Sequence, residues 1–302
     1  MDRCDGRACR VILRGGSKSF FAASWLLPKR LRPSVYALYA FCRGGDDAVD
    51  ETGDGAVGLE VLHRRLERVY QGRPFDSPVD RAFTAVVERF EIPRQLPQAL
   101  LEGFRWDVAG RQYETISDVR SYATRVAATV GVMMTLLMGR RSHEALWRAT
   151  DIGVAMQLTN IARDVGEDAR VGRLYLPRQW MGEVGLEPTR WLADPTYSSA
   201  LGQVVARLLD EADRLYGRAD AGIPLLPRDC QAGIGAARLI YADIGRSIRL
   251  AQCDSVNQRA VTSTWRKLRL LVRALGRRWG RPELPAPLGQ PLEEALPILG
   301  GS

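Results

Sequence analysis

Two pairs of aspartates set the chemistry this chain can attempt. Asp46-Asp47-Ala48-Val49-Asp50 and Asp164-Val165-Gly166-Glu167-Asp168 each contain the pattern D-x-x-x-D. On a helix that spacing stacks two carboxylates on one face, one turn apart. Like charges so placed destabilise an isolated helix by roughly 0.2–0.5 kcal/mol per pair, so a cation should sit between them. A hard divalent ion such as Mg²⁺, which takes carboxylate and amide oxygens, answers that need, with Mn²⁺ as a substitute. Two such pairs facing each other across a pocket would hold a diphosphate through bridging metal.

Each pair continues a longer helical stripe: Tyr39, Arg43, Asp46 and Asp50 on one, Gln157, Asn160, Asp164 and Asp168 on the other. Amphipathicity accounts for the neighbouring apolar line of Val154, Leu158, Ile161 and Val165, and for the charged edge of Arg163, Glu167 and Arg170. It does not account for a polar line bordering the apolar one. A lone acid pair is common on a solvated face, so the first motif by itself says little. Gly44 and Gly45 beside it each cost about 1 kcal/mol in a helix interior, which implies a loosened or closely packed turn. Asn160 adds a neutral oxygen donor. Arg43, Arg163 and Lys18 can balance diphosphate oxygens.

Two further segments carry weaker signals. Gly16-Ser17-Lys18-Ser19-Phe20 is small and polar with one cation; alone it reads as a loop or a helix start. The small residues of Ser121–Gly131 let a helix approach its neighbour closely or kink. Tyr122, with Tyr39 and Tyr241, can line a pocket and stabilise carbocations through ring faces, although a single tyrosine is more often core.

The elements that must position these residues are helices. Strand signals are scarce and 3.6-residue periodicity is general. Pro33 is placed to start a helix through the first aspartate pair. Further helices are expected over Leu59–Tyr70, Val79–Phe90, Pro97–Gly110, Ser117–Met138, Ser142–Gly166, Ser199–Arg218, Cys230–Gln252 and Thr262–Arg278. No linker divides the chain, so residues 1–280 read as one all-α domain and the Pro- and Gly-rich residues 281–302 as a loose tail.

Bulk properties narrow the class. With 302 residues and 46% apolar content the chain can build a sizeable core, which excludes a disordered or fibrous protein. A net charge of +8 favours anionic partners. Five cysteines without a C-x-x-C argue against a disulfide framework or structural zinc and for a reducing compartment. His63 and His143 lie near neither a cysteine nor a carboxylate cluster, which disfavours Ser-His or Cys-His catalysis. Residues 1–16 lack the apolar core of a signal peptide, and Val130–Met138 is too short to span a bilayer. A cytoplasmic protein is expected, peripheral at most on the inner face of the membrane.

In order along the chain, GSKSF (16–20), YAFCRGGDDAVD (39–50), RVAATVG (125–131), QLTNIARDVGEDARVGRLYLP (157–177) and GIGAARLIYADIGR (233–246) resemble the squalene/phytoene synthase family. These synthases join prenyl diphosphates head to head. The fourth block, with GRLYLP following the aspartates, is closer to the bacterial phytoene-forming branch. The resemblance implies a single-domain helical bundle of the isoprenoid-synthase type with a central apolar cavity. It implies Mg²⁺ ligation by Asp46, Asp50, Asn160, Asp164 and Asp168. It implies substrate contacts from Gly16, Ser17, Lys18, Ser19, Tyr39, Arg43, Gln157, Arg163 and Tyr241, with Tyr122 near the reacting carbons. The sequence departs from the family pattern at Gly44-Gly45, Thr124, Ala128 and Gln252-Cys253; no metal ligand is lost.

The implied reaction condenses two geranylgeranyl diphosphates through a cyclopropyl diphosphate to phytoene, the first committed step of carotenoid synthesis. The nearest alternative is squalene, dehydrosqualene or presqualene diphosphate synthesis from farnesyl diphosphate. Squalene formation needs NADPH, and Gly233-Ile-Gly-Ala-Ala-Arg238 lacks the third glycine and the preceding strand of a nucleotide fingerprint, so it reads as helix packing and no NADPH is expected. A non-enzymatic alternative is a basic all-α scaffold binding membrane or nucleic acid. Trp265, Leu268, Val272, Leu275 and Trp279 share one face of 262–279, with Arg266, Arg269, Arg273 and Arg277 on another, a membrane-surface signature. Two aspartate stripes would serve such a scaffold badly, since acids repel phosphates without a metal. Prenyl diphosphates and a peripheral membrane contact are therefore the expected partners, and nucleic acid is not.

Overall fold

The computed structural model describes residues 2–51, 55–276 and 290–300, and the side chains of residues 46–51 lie outside that description. Among the described residues all regular structure is helical. The chain forms α1 (Arg3–Gly16), α2 (Lys18–Ser24), α3 (Arg32–Glu51), α4 (Gly55–Tyr70), α5 (Pro78–Phe90), α6 (Gln95–Val108) and α7 (Ile116–Ala123). A π-helical turn (Thr124–Ala128) leads into α8 (Thr129–Leu137), followed by α9 (His143–Arg170), α10 (Arg178–Glu183), α11 (Pro188–Ala193) and α12 (Ser199–Asp220). After a 3-10 turn at Ile223–Leu225 come α13 (Arg228–Leu250), α14 (Thr264–Gly276) and a terminal turn α15 (Leu296–Leu299).

The axis of the bundle is α9. Its apolar stripe, Val154, Leu158, Ile161 and Val165, is buried as the periodicity predicts. It packs on α8, α12, α13 and the π turn. Two glycines allow this close approach. A Cβ on Gly153 would fall 2.6 Å from the Ala128 Cα, and one on Gly131 would fall 2.6 Å from the Ala149 carbonyl oxygen. On the other side α3 packs on α1, α4 and α5, with Phe41 stacked on Phe83 at 3.9 Å between ring centroids.

Three expectations need correction. Ser117–Met138 is not one α-helix; the π turn interrupts it. The turn is squeezed between α6 and α9, where a Cβ on Gly103 would meet Val126 Cγ1 at 2.5 Å, and widening the backbone there accommodates both neighbours. Residues 3–16, given no helix by sequence, form α1. Its buried line is only Asp5, Cys9 and Leu13, the first of them polar and paired with Arg81 at 2.7 Å, so hydrophobic periodicity is nearly silent. Within 281–302, expected as a loose tail, the described residues 290–300 are packed on the bundle. Leu292, Ala295 and Ile298 are buried, and Glu294 binds Arg120 at 2.8 Å, which docks residues 290–300 beside α6 and α7.

All five cysteines are free, as the odd count suggested. Among the described residues no helix is long and apolar enough to cross a membrane. Gly233 lies on α13 where a Cβ would meet Leu27 Cδ2 at 2.6 Å, which is helix packing and not a nucleotide turn.

Candidate active site

An elongated apolar cavity of about 280 Å³ runs through the bundle. That is many times the roughly 15 Å³ needed to admit one water, so it is a built feature and not a packing defect. One end is polar, with Tyr39, Gln157 and Asn160 in its wall; the other reaches Ala145, Arg148 and Gly222. Between them the wall is almost wholly apolar or small, including Val126 and Ala127 from the π turn. The far end is closed by a buried ion cluster. Arg148 binds Asp151 at 2.6 Å, and Arg218 of α12 reaches the same carboxylate at 3.2 Å.

The second aspartate stripe sits at the polar end. Asn160 donates through Nδ2 to Gln157 Oε1 at 3.3 Å, while its own Oδ1 is buried with no hydrogen-bond partner. An orphaned amide oxygen in a protein interior is costly unless something outside the chain uses it. One turn on, Asp164 accepts from Arg163 Nε at 2.7 Å and from Arg259 Nε at 2.8 Å. Burial alone would raise the Asp164 carboxyl, but these two guanidiniums outweigh it and hold the group below the usual carboxylate range. Asp168 moves the opposite way. Burial, followed by the neighbouring Asp164 charge, pushes it up to about 7, with Arg173 opposing. The donor set therefore fits a divalent ion: one orphaned amide oxygen and two carboxylates one turn apart, the second raised by burial and by the charge of the first.

Among the described residues no three His, Cys, Asp or Glu side chains are grouped as a metal centre. Asp46 and Asp50 belong to α3, but their side chains lie outside the described residues. Earlier on the same helix, Tyr39 and Cys42 line the cavity. Gly45 has the closely packed turn its position implied: a Cβ there would meet Phe104 of α6 at 2.8 Å.

The small polar segment joins this end. Ser17 caps α2 by accepting from Phe20 N at 3.2 Å, and its side chain lies near Tyr241. A Cβ on Gly16 would strike the Tyr39 hydroxyl at 2.5 Å, so only glycine lets these elements meet. Phe20 packs between Tyr39 and Tyr241, at 6.3 and 5.1 Å between centroids. Burial pushes the Tyr241 hydroxyl up to about 12 against the nearby Arg163 charge, so it stays protonated and able to donate. Gly16, Ser17, Tyr39, Gln157, Arg163 and Tyr241 are thus brought together. Lys18 and Arg43 are exposed nearby in the chain, and Ser19 is half-buried.

Tyr122 sits elsewhere. It does not line the cavity but joins Tyr113 and Tyr175 in an aromatic cluster. Its hydroxyl donates to Asp107 Oδ2 at 2.9 Å, and the Tyr175 hydroxyl donates to Asp107 Oδ1 at 2.7 Å. Burial and the Asp107 charge raise Tyr122 well above an ordinary phenol, which fixes it as a donor. Asp107, Arg173, Arg259 and Lys267 are the site residues that sequence reasoning missed. Asp107 left one signal: an acid in the last turn of α6 opposes the helix dipole, a local conflict that marks a tertiary partner. Lys267 left none; burial and the nearby Lys18 ammonium both push its own ammonium down.

An all-helical bundle around an apolar cavity, with paired aspartates and an orphaned amide at its polar end, defines a protein that handles a long apolar chain with an anionic head. The squalene/phytoene synthase family model matches residues 13–266, and the chain belongs to that family. It is 55% identical over 270 residues to the phytoene synthase of Rhodobacter capsulatus, which covers 88% of this chain and 80% of the relative. It is 40% identical over 265 residues to the 15-cis-phytoene synthase of a Paracoccus species, covering 85% and 86% of the two chains. Among solved structures, a dehydrosqualene synthase in complex with ligand superposes with a TM-score of 0.82 at 35% identity, covering 90% of this chain and 96% of that one.

Proposed function

We propose that this prenyltransferase condenses two geranylgeranyl diphosphates head to head, through a cyclopropyl diphosphate, to phytoene, the first committed step of carotenoid synthesis. The observation that carries the substrate choice is the length of the cavity along α9. From Asn160 to Ala145, both in its wall, is fifteen residues, or about 22 Å at 1.5 Å per residue. The sixteen-carbon main chain of a C20 prenyl group, at about 1.2 Å per bond of extended chain, needs about 18 Å. A C15 group needs only about 13 Å on the same scale and would leave the far end empty.

In this reading Asn160, Asp164 and Asp168, with Asp46 and Asp50 on α3, hold Mg²⁺. When bound, the ion supplies Lewis-acid neutralisation of the diphosphate leaving group. Ser17, Lys18, Tyr39, Arg43, Arg163 and Tyr241 orient diphosphate oxygens by hydrogen bonds and charge. The C1–O bond of one substrate breaks, and diphosphate leaves with the electron pair. The C2=C3 electrons of the second substrate form the new carbon–carbon bond, and loss of a proton closes the cyclopropane. A second C–O cleavage, rearrangement and second proton loss give the hydrocarbon. Two diphosphates and two protons leave, and no electron donor enters, so no NADPH is required. The apolar wall keeps water from the cationic carbons. Tyr122, outside the cavity wall and with its hydroxyl committed to Asp107, takes no step in this reading.

The reading carries with it a place at the cytoplasmic face of the membrane, where substrate and product chains are soluble. Incubation with Mg²⁺ and either C15 or C20 diphosphate, with and without NADPH, followed by product mass spectrometry, tests it. A C40 hydrocarbon from C20 diphosphate without reductant is expected. Turnover of C15 diphosphate alone would overturn it in favour of squalene-type chemistry.

A further inference from the structure

The helix α14 roofs the cavity. Its inner face, Leu270, Leu271 and Ala274, packs with Ala23 of α2 and Ala236, Ala237 and Leu239 of α13. Ala23 and Ala237 also line the cavity. Ala23 and Ala237 thus belong both to the cavity wall and to the apolar layer under α14. Arg266 clamps the first turn of α14 to Asp243 of α13 through two hydrogen bonds of 2.5 Å. Among the described residues, the contacts nearer its other end are apolar.

The outer face of α14 is a poor fit to water. Trp265 is 78% exposed and Leu275 62%, and Leu268 and Val272 between them complete an exposed stripe. Exposed Arg269 and Arg273 flank that stripe. A second surface of the same kind lies just past α2, where Trp25 is exposed under the guanidiniums of Arg10, at 5.8 Å from its ring, and Arg32, at 5.5 Å. Arg10 belongs to an exposed stripe on α1, Arg3, Arg7, Arg10 and Arg14, spaced along one helical face. Aromatic and aliphatic side chains framed by arginines match the boundary layer of an anionic bilayer, with apolar groups among the acyl chains and guanidiniums at the phosphates.

We propose that α14, with Trp25 and the α1 arginines, docks the protein on an anionic lipid bilayer, and that the hydrocarbon product leaves the cavity between Ala23 and Ala237 as α14 shifts onto the lipid. This rests on the reaction proposed above, whose product has no polar atom and pays heavily for any route through water. The alanine seam links the cavity wall to the apolar layer beneath α14. Among the described residues α14 is held by the Arg266–Asp243 clamp and by the apolar contacts of Leu270, Leu271 and Ala274, and contacts of this kind open locally while the bundle stays folded.

The test uses the full chain and a Leu268→Glu/Val272→Glu variant, both positions being exposed and outside the diphosphate site. Co-sedimentation with phosphatidylcholine vesicles, with and without phosphatidylglycerol, reads docking. Product formation in detergent and on detergent-free vesicles, as a first-turnover burst and a steady-state rate, reads release. The wild-type chain should bind the phosphatidylglycerol vesicles at low salt and release them at high salt. The variant should lose at least tenfold in binding, keep its melting temperature and burst, and lose at least tenfold in steady-state rate on vesicles alone. A wild-type chain that stays in solution, or a variant that binds as well as wild type, overturns the docking surface. Lost binding with an unchanged steady-state rate overturns the exit route. Absence of product in detergent from both proteins would instead overturn the proposed reaction, while the vesicle measurement still decides the docking.

Discussion

Ala149→Phe should convert the cavity from one that accepts C20 chains to one that accepts only C15. Ala149 lines the cavity eleven residues from Asn160 on α9, about 16 Å along the axis. A phenyl group there intrudes beyond the reach of a C15 chain, about 13 Å, and within that of a C20 chain, about 18 Å. The last isoprene unit would lose its place. At about 0.8 kcal/mol per buried methylene, forfeiting four or five carbons removes roughly 3–4 kcal/mol of binding. That corresponds to a fall of about 10² to 10³ in kcat/KM for the C20 substrate relative to the C15. Ala145→Phe is the matched control. It lies about 22 Å from Asn160, beyond the C20 terminus, and should leave the ratio near wild type. Competition between the two diphosphates, read by product mass spectrometry, gives the ratio directly. A folded Ala149→Phe protein with an unchanged ratio, or equal effects from the two substitutions, would refute the reasoning that distance along α9 measures chain length.

Three further outcomes follow from the geometry. Gly166→Ala places a methyl 2.5 Å from the Val256 carbonyl oxygen, so the loop carrying Arg259 must shift; a stability loss of about 1–3 kcal/mol in urea denaturation and a lower kcat are expected. Asp151→Asn removes the buried carboxylate that pairs with both Arg148 and Arg218 and should cost about 3–5 kcal/mol, seen as a lower denaturation midpoint at constant slope. Asp168 is raised from 3.8 to about 7 on folding, so the metal-free native state holds this proton more tightly than the unfolded chain. Its contribution is complete below pH 4 and is lost as pH rises toward 7, by up to roughly 4 kcal/mol at 1.36 kcal/mol per pH unit. Added Mg²⁺ should therefore raise the melting temperature more at pH 8 than at pH 6, and Asp168→Asn should flatten that difference.

Much of the fold was legible because a helix buries residues at a fixed period. The α9 stripe Val154, Leu158, Ile161 and Val165 could be read off directly, and all four are buried. The failures are equally local. The π turn was hidden because Thr124–Ala128 has ordinary helical composition, and only the pressure of Gly103 and Gly153 from two neighbours distinguishes it. The helix α1 was hidden because it buries a paired aspartate where an apolar residue would have announced it. The docked end of the chain was hidden because its anchor, Glu294 on Arg120, joins residues 174 positions apart.

The site divides along the same line. Gln157, Asn160, Asp164 and Asp168 were legible because one helix carries them, and their spacing is a conflict that a helix alone cannot relieve. Gly166 belongs with them in hindsight. A glycine inside a good helix weakens it, and here the cost admits the Ser255 carbonyl, which accepts from Gly166 N at 2.9 Å. That contact seats the loop that brings Arg259 to Asp164. Arg259 and Lys267 oppose nothing in their own surroundings, so no local rule singles them out among 43 basic residues. The cavity is the extreme case. Its walls come from many elements, among them α1, α2, α3, α8, α9, α12, α13 and the π turn, and apart from its two ends they contribute small or apolar residues that any core helix has. Chemistry is legible where a sequence violates a local preference, whereas a hollow is assembled from residues that violate none. Chain length, which depends on the hollow alone, is therefore the property for which structure is indispensable.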